Sequence, residues 1–177
     1  MDTQSLRIPD SIHGHGNTGA TRSIEATSFY AVLILVFAAL IRLAFFSRGL
    51  GTDEIVYMTQ AQRLLAGDLG HASYIGAIRY GINGFQALSV ALFGPGIVGA
   101  SGLYFACSLA NVMLVYWFAD RLWGRRAAIW AGLALATLPI DVALAGGLNP
   151  DPYLGLFITA SIITFYFAEN RDNAILY

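Results

Sequence analysis

Two short segments carry side chains able to do chemistry, Gly51-Thr52-Asp53-Glu54 and Leu148-Asn149-Pro150-Asp151-Pro152. Adjacent carboxylates such as Asp53 and Glu54 can act as a general base, or hold a hard divalent cation through oxygen ligands. The plainer reading is a helix start, with Thr52 or Asp53 as N-cap and Glu54 in a first turn where the helix dipole favours negative charge. Asp151 sits between prolines that restrict the backbone and is itself a candidate N-cap. Arg79-Tyr80 offers a guanidinium suited to phosphate oxygens, although an arginine anchored at lipid headgroups explains the same residue.

These groups must be held by elements suited to lipid. The chain has 177 residues, 56% apolar and 12% charged, with a mean hydropathy of +0.60. A soluble domain carries about twice that charged fraction. The net charge of −1 and the dispersed basic residues exclude the field that gathers nucleic acid. The single cysteine, Cys107, excludes a disulfide framework and a cysteine-based zinc site, and reads as a buried thiol. His13 and His15 lie in a glycine-rich stretch and read as solvated rather than metal-binding.

A bilayer core of about 30 Å needs roughly 20 helical residues. Four runs approach that length, at about 29–46, 96–119, 127–148 and 152–168. Arg42 interrupts the first near its end, where its side chain is expected to snorkel to the headgroups. Asp141 lies late in the third and is expected at the interface rather than in a proton relay. Small residues Gly99, Gly102, Ala106 and Ala110 in the second suit close helix packing. Two shorter amphipathic helices are predicted at about 53–66 and 80–93, the second ended by Gly94-Pro95 and both suited to the membrane surface. Residues 1–27 are polar and read as a flexible cytoplasmic tail, and 171–177 as the start of a further segment. The fold class expected is therefore all-α integral membrane, about four spans with two interfacial helices in the first external loop.

Arg121, Arg125 and Arg126 form the densest basic turn and place it in the cytoplasm by the positive-inside rule. The N-terminus is then cytoplasmic too, and Asp53 and Asp151 emerge together on the external face. Arg42 and Arg48 oppose this orientation, with only Arg22 near the inner end of the first span. It also requires that 80–93 does not cross the bilayer.

With Asp53-Glu54 after the first span come Arg63-Leu64-Leu65-Ala66-Gly67-Asp68, Ala91-Leu92-Phe93-Gly94, Arg121-Leu122-Trp123-Gly124-Arg125-Arg126-Ala127-Ala128 and Asn149-Pro150-Asp151. In that order and spacing, over about residues 30–170, the chain resembles the N-terminal part of the GT-C glycosyltransferases. These group the protein O-mannosyltransferases, the lipid A aminoarabinose transferase and related bacterial enzymes. The resemblance implies an inner-membrane or plasma-membrane enzyme that moves a sugar from a polyprenyl-phosphate carrier to an external lipid, glycan or protein acceptor, with inversion at the anomeric carbon. It implies Asp53 as base or metal-associated carboxylate, with Glu54 beside it and Asp151 completing the site, and a divalent cation held by Asp53 and Asp151 as the one cofactor. Family members have further spans, so a second chain supplying them is an implied partner. The rival reading is an inactive accessory membrane subunit or a small transporter. A transporter would need ionisable groups or broken helices near the bilayer midplane, and neither is evident in the sequence.

Overall fold

The computed structural model describes residues 17–46, 52–68, 79–147 and 149–169, and side chains from Ser28 and, in the second segment, from Ile55. His13, His15, Arg48 and the final segment 171–177 lie outside the described residues. Within them the chain is all helical: α1 Asn17–Ala44, α2 Thr52–Leu65, α3 Tyr80–Phe93, α4 Ile97–Trp123, α5 Arg125–Ala136, α6 Pro139–Ala145 and α7 Asp151–Glu169.

Each boundary has a local cause. α2 closes through Gly67, whose φ of 77° lets the Gly67 and Asp68 amides donate back to Leu64 and Arg63 at 3.1 and 3.0 Å. Gly94 (φ 85°) and Gly124 (φ 79°) end α3 and α4 with conformations that other residues rarely adopt. α1 begins at Asn17, so the tail expected over residues 1–27 is already helical in its last part. Extending a nucleated helix backward adds one hydrogen bond per residue fixed, which requires no apolar face.

The third apolar run corrects the expectation of a continuous span over 127–148. It is two helices, α5 and α6, bent by 57° at a break. Pro139 has no amide hydrogen and pushes Leu138 to an extended conformation (φ −62°, ψ 114°). Composition alone passes over such a break, because hydropathy does not register the missing donor. Among the described residues α4 and α7 are long and apolar enough to cross a membrane, and the bent α5–α6 pair makes a third candidate. The apolar part of α1, Ser28–Ala44, is shorter.

The packing fixes which helix ends lie together. α4 and α7 run parallel, with Tyr104 beside Tyr153 (ring centroids 6.3 Å) and Trp117 beside Phe167 (5.8 Å). α1 runs antiparallel to α4: Ile34 and Ala38 share a core with Val112, Tyr116, Ala128 and Ala136, and the Arg125 guanidinium lies 5.9 Å over the Tyr30 ring. The arginine turn and the lower part of α1 therefore share one end of the bundle. The starts of α4 and α7 occupy the other.

Candidate functional site

The end away from the arginine turn gathers the starts of α2, α3 and α7. Asp53 and Glu54 occupy the first turn of α2, and one turn later Tyr57 is buried. Arg79, at the N-cap of α3, donates from Nη1 to the Tyr57 hydroxyl at 3.2 Å. Two residues on, a Cβ at Gly81 would lie 3.9 Å from the Tyr153 hydroxyl. Tyr153 stacks on Phe85 with centroids 4.4 Å apart and planes at 18°. It follows Asp151 by two residues, and Asp151 stands exposed in the first turn of α7. There the Asp151 amide donates to Asn149 Oδ1 at 3.4 Å, and the helix dipole favours the carboxylate. Arg79, Gly81 and Tyr153 thus form a bridge between the helix that carries Asp53 and the helix that carries Asp151. Arg79 and Tyr80 are both exposed at the middle of that bridge.

α3 lies across the start of α4 and is fastened there by polar groups. Gln86 donates from Nε2 to the Ala100 carbonyl at 3.1 Å, and the Leu103 amide donates to Ser89 Oγ at 3.3 Å. Gly99 permits this approach, since a Cβ there would fall on the Gly94 carbonyl oxygen. Gly102 faces the Phe93 ring, so two of the small residues read as packing positions serve the α3–α4 crossing. Gln86 Oε1 and the Tyr104 hydroxyl are buried with no protein hydrogen-bond partner. A buried polar atom without a partner costs about 1–3 kcal/mol.

Arg42 and Asp141 are placed differently from expectation. Arg42 does not snorkel: it is fully buried (0% exposed) and ion-paired with Asp141. Its Nε donates to Ser108 Oγ at 2.7 Å, and the Ser108 hydroxyl in turn donates to Asp141 Oδ2 at 2.6 Å. Nη1 donates to the carbonyls of Ala38 at 3.1 Å and Ala136 at 3.2 Å. Ala136 is the last residue of α5, whose carbonyl loses its helical partner at the break, so the guanidinium replaces the missing donor. Ser108 lies about 17 Å from the start of α4, itself about 40 Å long, so Asp141 is held beside the middle part of α4 and not at its end. Sequence reasoning missed this cluster although a signal exists. Ile34, Ala38 and Arg42 are four apart, as are Tyr104, Ser108, Val112 and Tyr116, and every one of them is buried.

A broken helix and an ionisable pair are thus both present, contrary to the expectation that neither would occur. They satisfy one another: four acceptors surround the one guanidinium, which is the arrangement of a structural tie. Cys107 is buried, as a lone apolar-run thiol should be. Among the described side chains no three of His, Cys, Asp and Glu converge as metal ligands, and Asp53 and Glu54 are not among those side chains. Asp151, with exposed carboxylate oxygens of the type hard cations take, fits one half of the expected cation pair.

A family model described as dolichyl-phosphate-mannose-protein mannosyltransferase matches residues 81–177, more than half of the chain. No curated protein and no solved structure gives a match.

Proposed function

Because the chain belongs to the dolichyl-phosphate-mannose-protein mannosyltransferase family, and so to the GT-C glycosyltransferases, we propose that it moves a sugar from a polyprenyl-phosphate donor to an external lipid, glycan or protein acceptor. The reading has four spans, α1, α4, the bent α5–α6 pair and α7, with α2 and α3 lying on the outer surface. The N-terminus and the arginine turn are cytoplasmic and the reaction takes place on the external face of the inner or plasma membrane.

The observation that supports this most is the bridge at the starts of α2, α3 and α7. It draws two acid-bearing helix starts, far apart in sequence, to one end of the bundle beside an exposed arginine. In the proposed step Asp53 accepts the proton of the acceptor hydroxyl, with Glu54 beside it. The acceptor oxygen forms its bond to the anomeric carbon as the bond from that carbon to the phosphate oxygen breaks on the opposite side, which inverts the centre. Polyprenyl phosphate leaves with the electron pair. Arg79, with Tyr80 next to it, faces the negative charge that gathers on the departing phosphate. In the alternative role, with Asp53 a cation ligand instead of the base, a divalent cation held by Asp53 and Asp151 would supply that charge stabilisation.

The test is transfer from radiolabelled polyprenyl-phosphate mannose in membranes that contain the chain within its natural assembly. Asp53→Asn is expected to lower turnover by about 100-fold or more, the range of a lost general base. Undiminished turnover would remove Asp53 from the mechanism, and no transfer by the unaltered protein from any polyprenyl-phosphate sugar would favour the accessory-subunit reading.

A further inference from the structure

At the arginine end, α4 and α7 leave a groove between them of about 490 Å³, lined chiefly by Leu114, Trp117, Arg121, Ile163, Thr164 and Phe167. The size lies within the roughly 300–1,000 Å³ that ligand pockets span. The groove is graded along its length. Arg121 stands at its mouth, and Leu114 lies about 10 Å further in along α4. The Arg121 guanidinium is held 5.7 Å over the Trp117 ring. The Thr164 hydroxyl spends its proton on the Ala160 carbonyl at 2.8 Å, so the donors at the mouth belong to Arg121.

The surroundings fix depth and charge. Trp117 is exposed in the groove wall, and Trp123 and Tyr166, both packed on Phe118, are exposed at the same end of α4 and α7, the aromatic enrichment expected at a headgroup boundary. Arg125 and Arg126 lie in the same turn, with Asp120 and Glu169 as the carboxylates nearest in sequence to this end of α4 and α7, and among the described residues no carboxylate lines the groove. A phosphate at the mouth would meet guanidinium, whereas the ammonium of a zwitterionic headgroup would be set among arginines.

We propose that this groove binds an anionic phospholipid, its phosphate at Arg121 and one acyl chain directed inward along Leu114 and Ile163. The site is independent of the transfer reaction and of the residues assigned to it.

Trp117 supplies the readout. The full chain, carrying Trp123→Phe and Trp130→Phe so that Trp117 alone fluoresces, is placed in bilayers with dibrominated phosphatidylglycerol or dibrominated phosphatidylcholine at equal mole fraction. Phosphatidylglycerol is expected to occupy the quenching site about fivefold more favourably, the effect of one basic residue on an anionic lipid. Arg121→Gln should bring the two lipids level, while a Trp130-only variant should show no preference in either background. Equal quenching by both lipids, or a preference untouched by Arg121→Gln, would overturn the proposal. Absence of quenching by either would do the same, since it would mean that protein, another copy or another chain, covers the groove.

Discussion

Replacing Asp141 by asparagine keeps the volume and shape of the side chain and one acceptor oxygen, and removes only the charge opposite Arg42. The guanidinium is fully buried and reaches the Ser108 hydroxyl and two carbonyls at 2.7–3.2 Å, so it has no route to water. Leaving a buried charge without its counter-charge costs about 3–5 kcal/mol, whereas hydrogen bonds between membrane helices average about 0.6 kcal/mol. The two values separate an electrostatic tie from an ordinary polar contact. Against a total stability of about 5–15 kcal/mol, the larger loss should be plain. It can be measured by reversible unfolding in mixed micelles with rising dodecyl sulfate fraction, followed by tryptophan fluorescence. Arg42→Met with Asp141→Leu removes both charges together and should recover part of the worse single variant's loss, leaving a deficit of about 1–3 kcal/mol for the Ala136 carbonyl that loses its donor. A loss below about 1 kcal/mol for Asp141→Asn, or a double variant no better than the worse single one, would refute the reasoning.

Three further substitutions test how the end that gathers the starts of α2, α3 and α7 is assembled. Phe85→Ala removes the half-buried ring on which Tyr153 stacks and should cost about 1–3 kcal/mol, read in the same unfolding assay, with α3 becoming more accessible to protease than α4. Gly99→Ala places a methyl on the Gly94 carbonyl and should lower the yield of folded protein. Gly96→Ala, where nothing lies within 4 Å, should leave that yield near its original level, as judged by size-exclusion chromatography in detergent.

How much was legible in the sequence differs from one element to the next, for physical reasons. The bounds of α3 coincide with a local apolar stripe and a glycine stop, and a local pattern needs no knowledge of partners. The membrane class follows from composition, and the family from five ordered motifs together with the match over 81–177. The break in the third run was visible only as Pro139, whose effect depends on a donor that hydropathy ignores. Arg42 was misplaced because snorkelling treats a helix by itself. Its fate was decided by Ser108 and Asp141 on other helices, which no single-helix argument contains. The bridge from Arg79 to Tyr57 and from Gly81 to Tyr153 is likewise tertiary. Sequence placed Asp53 and Asp151 on one face through a charge rule, without the residues that connect their helices.

The most direct test of that shared face uses cysteine accessibility. In a Cys107→Ser background, Asp53→Cys, Asp151→Cys and Arg126→Cys are each probed with a membrane-impermeant maleimide in sealed vesicles of known orientation. The account predicts that the first two label from the external side of intact vesicles and the third only after permeabilisation. Labelling of Asp53→Cys and Asp151→Cys from opposite sides, or of Arg126→Cys together with them, would contradict it.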